Sequence, residues 1–360
     1  MKYLYKLIVL LLLIPSVLLA NEDTGKYTKT KKIHKEFSIT KDGNFTITNK
    51  YGNITISTWN ENRIVIDVYI ETNGNNEQKV IDKLKQISVD FENNQSFVSA
   101  KTIIKKSSYS NWSFFKSNNS IGMKINYTIK MPASNMLEVN NDYGDITLDN
   151  LLGKAEINCD YGKLFIGELH HKENEINIDY NGKSTIEYIK GGTINSDYST
   201  IEIEKSDILK VNADYSHILI GTAKNVKYNC DYGDLNAENI GTISGNSDYF
   251  HVKIKNLSNS AKLSSDYGSI KIANILKGFS EVKISSEYGN IKVGVADNTA
   301  YNFKANVEYG NLKYDPSNYT FYKKVTKNSS KYYEGHYLRE NSSSNINLQT
   351  NYGSVAITNY

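Results

Sequence analysis

A short motif recurs ten times between Asn140 and Tyr309, and its spacing limits the fold more than any other feature of the chain. It reads Asn-X-Asp-Tyr, often followed by Gly, with Ser for Asn and Glu for Asp in some later copies. The Tyr-to-Tyr steps are 18, 19, 18, 17, 17, 17, 18, 21 and 21 residues. A fixed period this short marks a solenoid, in which each repeat buries its apolar face only by stacking on its neighbours.

Within a repeat the apolar residues alternate. Four residues before Tyr stand Val139, Ile157, Ile176, Ile194, Val211 and Ile284 among others, with Asn and Asp between the apolar positions. Period two is the signature of a strand with one face in the core. After Tyr the apolar positions fall three and five residues on, as in Ile146 and Leu148 or Ile201 and Ile203. That odd shift places a corner at Tyr-Gly, where Gly is expected to supply backbone freedom. Two strands and a corner in 17–21 residues leave no room for a crossover helix. The fold class expected is therefore all-β, a parallel β-solenoid (β-helix-like). Ile157, Ile194, Val211 and Ile284 are expected to point inward, and Tyr, sharing their parity, to stack at the corner and close the core; turned outward, the Tyr column would instead form a platform for sugar rings or another flat ligand.

The chain divides around this array. Residues 1–20 carry Lys2 and Lys6, an apolar run from Leu7 to Leu13, Pro15, and Ala20 before Asn21. This is a secretory signal pattern, too short for a membrane span. Its removal takes two of the 42 basic residues, leaving 40 against 39 acidic ones. A nearly neutral chain argues against nucleic-acid binding. Residues 21–135 read as β-rich with one short helix over 75–86, Asn75 capping it. A first copy of the repeat lies here, around Tyr51-Gly52. Residues 136–360 form the array. An excursion over 315–345 breaks the period, and a last copy surrounds Tyr352-Gly353.

Several columns could carry chemistry. Asp142, Asp160, Asp179, Asp197, Asp214, Asp231, Asp248, Asp266, Glu287 and Glu308 all precede Tyr. Stacked carboxylates could hold cations, but Asp beside a Gly corner is ordinary turn chemistry, accepting backbone N–H bonds locally. The Asn column from Asn140 to Asn246 suits an amide ladder. His217, Asp234 and His251 occupy one slot in successive turns and are the candidate metal ligands. The candidate binding aromatics are Trp112, Phe114 and Phe115 in one loop, and Tyr319, Tyr322, Tyr332 and Tyr333 in the excursion. Alternatively these aromatics only cover the solenoid. The acids are evenly spread rather than clustered, and no nucleophile, P-loop or dinucleotide motif is present, so no catalytic residue and no cofactor are assigned.

The early Tyr51-Gly52 copy, Trp59-Asn60 with the alternating Ile64 to Ile70, the short helix, the Met131-Pro132 boundary and the repeated Tyr-Gly corners resemble the bacterial putative-adhesin family. These are secreted proteins with an auto-transporter-adhesin-like repeat domain of largely unknown function. The resemblance runs from Phe45 to nearly the end of the chain. It implies a β-solenoid at the cell envelope or surface and transfers no catalytic residue. The chain departs from the pattern where Asn181, Ser199, Ser216 and Phe250 replace Gly. The function expected is a secreted, non-enzymatic binding or adhesion module contacting a surface glycan or an envelope protein. A carbohydrate-active β-helix enzyme and a periplasmic structural protein with protein partners are the alternatives.

Overall fold

The computed structural model describes residues 25–105 and 121–360. The export signal read at 1–20 and the loop aromatics Trp112, Phe114 and Phe115 lie outside the described residues. The alternating sequence builds 23 strands in one continuous sheet, with one helix among the described residues.

Pairing along the array is parallel and joins like to like. On one face Met136–Asp142, Ala155–Asp160 and Asn174–Asp179 are neighbours, with Val139, Ile157 and Ile176 in register. On the other face Ile146–Leu151 and Leu164–Leu169 pair the same way. From Thr200 to Ser265 strand pairing is unbroken through 66 residues, although the chain turns left-handed at Tyr215, Tyr232 and Tyr249 on the way. Each Tyr marks one strand-corner-strand unit. The strand Asn44–Lys50 pairs in parallel with Met136–Asp142, so the early Tyr51 copy stacks on the array.

The core follows the aliphatic columns. Ile157, Ile194, Val211 and Ile284 are all buried. Volume is traded between neighbouring turns at the same slot. Tyr228 fills it with a large ring, and the next turn places Gly245 there, where a Cβ would lie 2.5 Å from the Tyr228 ring. Close packing of this kind tolerates a large residue only beside a small one.

Both ends of the stack are covered. Phe97–Ile104 and Gly122–Pro132 each pair in parallel with one strand of the first turn. Antiparallel partners then extend them: Ile87–Asn93 on the first, and Arg63–Gly74 followed by Tyr27–Ser38 on the second. The helix Glu77–Gln86 packs here and buries Val80. Its N-cap is Asn76, which accepts from the Lys79 N–H, and not Asn75, whose side chain accepts from the Lys26 N–H. At the far end Tyr301–Glu308 pairs antiparallel with Ser330–Tyr337, which pairs with Tyr319–Thr326. Covered edges stop end-to-end strand pairing, which an open solenoid invites.

The order of stacking departs from the order of sequence at both ends: Asn44–Lys50 lies between Phe97–Ile104 and Met136–Asp142 at one end, and the other end is rearranged likewise. Asn345–Thr350 lies between Glu281–Ser286 and Tyr301–Glu308 and pairs in parallel with both. Val355–Asn359 is inserted likewise between Ile291–Val295 and Leu312–Lys313. The chain skips one place, builds the end cap, and returns to fill the place it left. A repeat period cannot show this, because it reports the slot and not the position in the stack.

Cys159 and Cys230 occupy one slot, four turns apart, and both are free and buried. Four strand spacings are roughly 19 Å, far beyond disulfide reach. Burial pushes both thiols up to about 12. Thiolate is the reactive form, so both are expected to resist alkylation at mildly alkaline pH and to react fully in denaturant. Rapid modification of the folded protein would show the slot to be open.

A solvent-facing tyrosine ladder as the candidate functional site

Twelve tyrosines form one continuous stack: Tyr51, Tyr143, Tyr161, Tyr180, Tyr198, Tyr215, Tyr232, Tyr249, Tyr267, Tyr288, Tyr352 and Tyr309. Successive ring centroids are 4.6 to 5.3 Å apart and the planes lie within 10° of parallel. The ladder is about 50 Å long, eleven steps at the strand spacing. Its rings face solvent: Tyr198 is 50% exposed and the terminal Tyr309 63%.

This overturns the inward placement expected from parity. Parity assumes extended backbone throughout, and the tyrosines are not extended. Nine of them, including Tyr143, Tyr161, Tyr198 and Tyr215, have φ between 48° and 66°. A left-handed residue turns its side chain off the alternation, so the ring leaves the core face. The expected role of Gly changes accordingly. At these corners Tyr, not Gly, takes the left-handed conformation, which costs a residue with a Cβ about 1–2 kcal/mol. Gly is needed for close approach instead: a Cβ at Gly289 would lie 1.7 Å from the Gly268 carbonyl oxygen of the adjacent turn.

Where Gly is absent the side chain turns inward and ties the turns together. Asn181, Ser199, Ser216 and Phe250 are all buried. The Gly162 N–H donates to Asn181 Oδ1, the Asn181 N–H to Ser199 Oγ, and the Ser199 N–H to Ser216 Oγ. The inner slot two before Tyr does similar work. Asn141 Nδ2 donates to the carbonyls of Gly144 and Gly52. Asn158, Asn177, Asn195 and Asn212 each donate to the Asn before them, at 2.6 to 2.7 Å, extending the amide ladder from Asn140.

The acidic column runs beside the rings, but not as local turn acceptors. Among the described residues only Asp231 accepts a backbone N–H at these corners, from Asp248 of the next turn. Burial, and then the carboxylates of Asp142 and Asp179, raise the Asp160 carboxyl above its usual range. Burial also raises Asp231. At the N-terminal end of the column stands Lys50, whose Nζ lies 3.1 Å from Asp142 and 5.5 Å from the Tyr51 ring centre. Burial, and then neighbouring phenols, raise Tyr161, Tyr198, Tyr232 and Tyr267. The phenols are therefore neutral at physiological pH. Because each ring covers its neighbours' faces, the ladder presents ring edges and a file of hydroxyls. Stacking of a flat ligand on inner rings is blocked, and hydrogen bonding along the file is open.

The other candidates fall elsewhere. His217 Nδ1 and Asp234 Oδ2 are 2.6 Å apart, while His251 Nδ1 turns to Ser269 Oγ at 2.9 Å. Two of the three predicted metal ligands thus meet and the third does not. Among the described residues no group of three or more His, Cys, Asp or Glu could hold a metal. In the excursion, Tyr333 is buried and Tyr319 lies edge-on to Phe303 and Tyr301. The Tyr332 hydroxyl donates to Glu334 at 2.6 Å, and Lys304 and Lys323 lie over its ring. Tyr322 alone of the four is more than half exposed, at 56%, with its hydroxyl 2.7 Å from His336. These rings pack the end cap.

No curated protein matches the chain. Several solved structures resemble it weakly. A putative cell adhesion protein from Clostridium sporogenes is 11% identical, with 92% of this chain and 100% of that one covered, at a TM-score of 0.21. A putative adhesin from Bacteroides fragilis is 14% identical, with 92% and 97% covered, at 0.22. A putative adhesin from Parabacteroides merdae is 10% identical, with 91% and 96% covered, at 0.32. None of these superpositions is close enough to carry an argument. Among the described residues no helix is long and apolar enough to cross a membrane. The model of the Toastrack DUF4097 family matches residues 24–358, nearly the whole chain, and the protein belongs to that family.

Proposed function

We propose that the protein is an exported, non-enzymatic adhesin-like module built on a parallel β-solenoid, and that the tyrosine ladder with its acidic flank is its contact surface. One observation carries this reading. The exposed slot is Tyr in all twelve turns, while the buried slot two before it varies through Asn141, Cys159, Ile178, Ser196, Ala213 and Val307. Repeats selected for packing alone would vary outside and hold constant inside. Here an exposed residue is retained in a conformation that disfavours it, and strain of this kind collects at functional sites.

The partner that fits is an extended, hydrogen-bonding polymer at a cell surface, a glycan or an envelope protein. Rings whose centroids recur at 4.6 to 5.3 Å carry their hydroxyls in one regular file, which suits an extended polymer of repeating polar units. The excursion and the N-terminal portion act as covers in this reading, and residues 1–20 direct export. The test is a glycan array and a native envelope fraction probed with the purified protein, alongside a lyase and hydrolase screen. Retention without turnover is expected. Turnover of a glycan would favour the enzyme alternative, and no retention by either would remove the adhesin reading.

A further inference from the structure

The outward row five residues before Tyr is sorted by charge along the stack. Glu138, Glu156 and Glu175 are register partners in successive turns. Thr193 follows, in register with Glu175 on one side and Lys210 on the other. The row continues through Lys227, which lines the same shallow groove as Glu175, Thr193 and Lys210. Beyond Ser244 it runs through Lys262 and Lys283, again register partners, to Asn347 and Lys304, and at its other end Thr46 precedes Glu138. Glu156 pairs with Lys154 in its own chain. Among the described residues the other charged members of the row that are named here have no ion-pair partner. The register therefore places a file of acid, unpaired except at Glu156, and a file of unpaired base on one sheet face.

We infer that this face binds a second copy of the chain, with the two solenoids running in opposite directions. A two-fold axis lying along the strands and passing over Thr193 reverses the stack while keeping each row opposite itself. It sets Glu175 against the partner's Lys210 and Glu156 against the partner's Lys227, and symmetry repeats both pairs. A two-fold interface must be self-complementary, and the five turns Glu156, Glu175, Thr193, Lys210 and Lys227 meet that condition about Thr193. A long anionic polymer fits these five turns less well, because Glu156 and Glu175 would repel it. Ile208, 61% exposed in the same groove, is covered in this arrangement. The corner is displaced along the strands from this row and that coordinate is unchanged, so both tyrosine ladders emerge along one edge of the pair. The inference does not depend on what the ladder binds.

The test is sedimentation equilibrium of the full mature chain at tens of micromolar, at low and high salt. The wild type is expected to be dimeric at low salt and to dissociate as salt rises. Lys210→Glu/Lys227→Glu and Glu156→Lys/Glu175→Lys should each be monomeric, with unchanged circular dichroism and melting because all four side chains lie on the surface. Mixing the two variants should restore a dimer, since the four facing positions are then all acidic on one chain and all basic on the other. A wild type that is monomeric at low salt overturns the proposal. So does a dimer indifferent to both charge reversals, or a mixture that stays monomeric. A monomer that binds heparin through the lysines would assign the basic half to polyanions instead, and is also a refutation.

Discussion

Replacing the hairpin over 318–338 with a short Gly-Ser linker is expected to turn the protein into soluble aggregates or inclusion bodies. The two ends are already adjacent, because the Leu338 N–H donates to the Asn318 carbonyl at 2.9 Å, so closing the gap is not the difficulty. The loss is at the end of the stack. Eight residues of Tyr301–Glu308 would lose their antiparallel partner and become an open edge. Tyr301 and Phe303, now buried, would be uncovered. Exposing a large apolar side chain costs about 1.5–3 kcal/mol, and an open, flat, apolar edge is a template for pairing with other chains. Light scattering after size exclusion reads the result. A monodisperse monomer with native melting would show that the excursion is an appended loop and not a cap.

Truncating Ile194 to Ala is expected to cost about 2–5 kcal/mol in urea unfolding. Ile194 is fully buried, with Ile176 and Val211 as its register partners in the adjacent turns. In a stack each turn contacts only its neighbours, so a cavity there weakens two interfaces at once. A loss below about 1 kcal/mol, the range of surface substitutions, would mean that the aliphatic column does not face the core.

The stack was legible in the sequence because its cause is local and repeated. Alternation of Ile157, Asn158, Cys159 and Asp160 fixes which face is buried, and the 17–21-residue period fixes the register. The direction of Tyr was not legible. Its parity points inward, and at nine of the twelve corners a positive φ, which period-two reasoning excludes, turns it out. The corner hydrogen bonds run between turns, as from the Tyr143 N–H to the Asp160 carbonyl, and a motif within one repeat does not show them. The place of Tyr352 between Tyr288 and Tyr309 was hidden because all three carry the same motif. The roles of Tyr319 and Tyr333 depend on contacts with Tyr301 and Phe303. The rows sorted by charge lie at a fixed offset from Tyr, and the parallel register is what shows that their members stack.

The account rests on the ladder being a contact surface and not part of the core. The most direct measurement is retention of the Tyr198→Asn/Tyr215→Asn/Tyr232→Asn variant on the glycan or envelope fraction that holds the wild type, with melting recorded on the same sample. Asn adopts the left-handed backbone readily, which offsets the loss of stacking at about 0.5–1.5 kcal/mol per pair. Melting within a few degrees of wild type, with retention reduced at least tenfold, is the result predicted. Full retention by a variant that melts normally would contradict it, and so would a variant that fails to fold, because the rings would then be serving the scaffold.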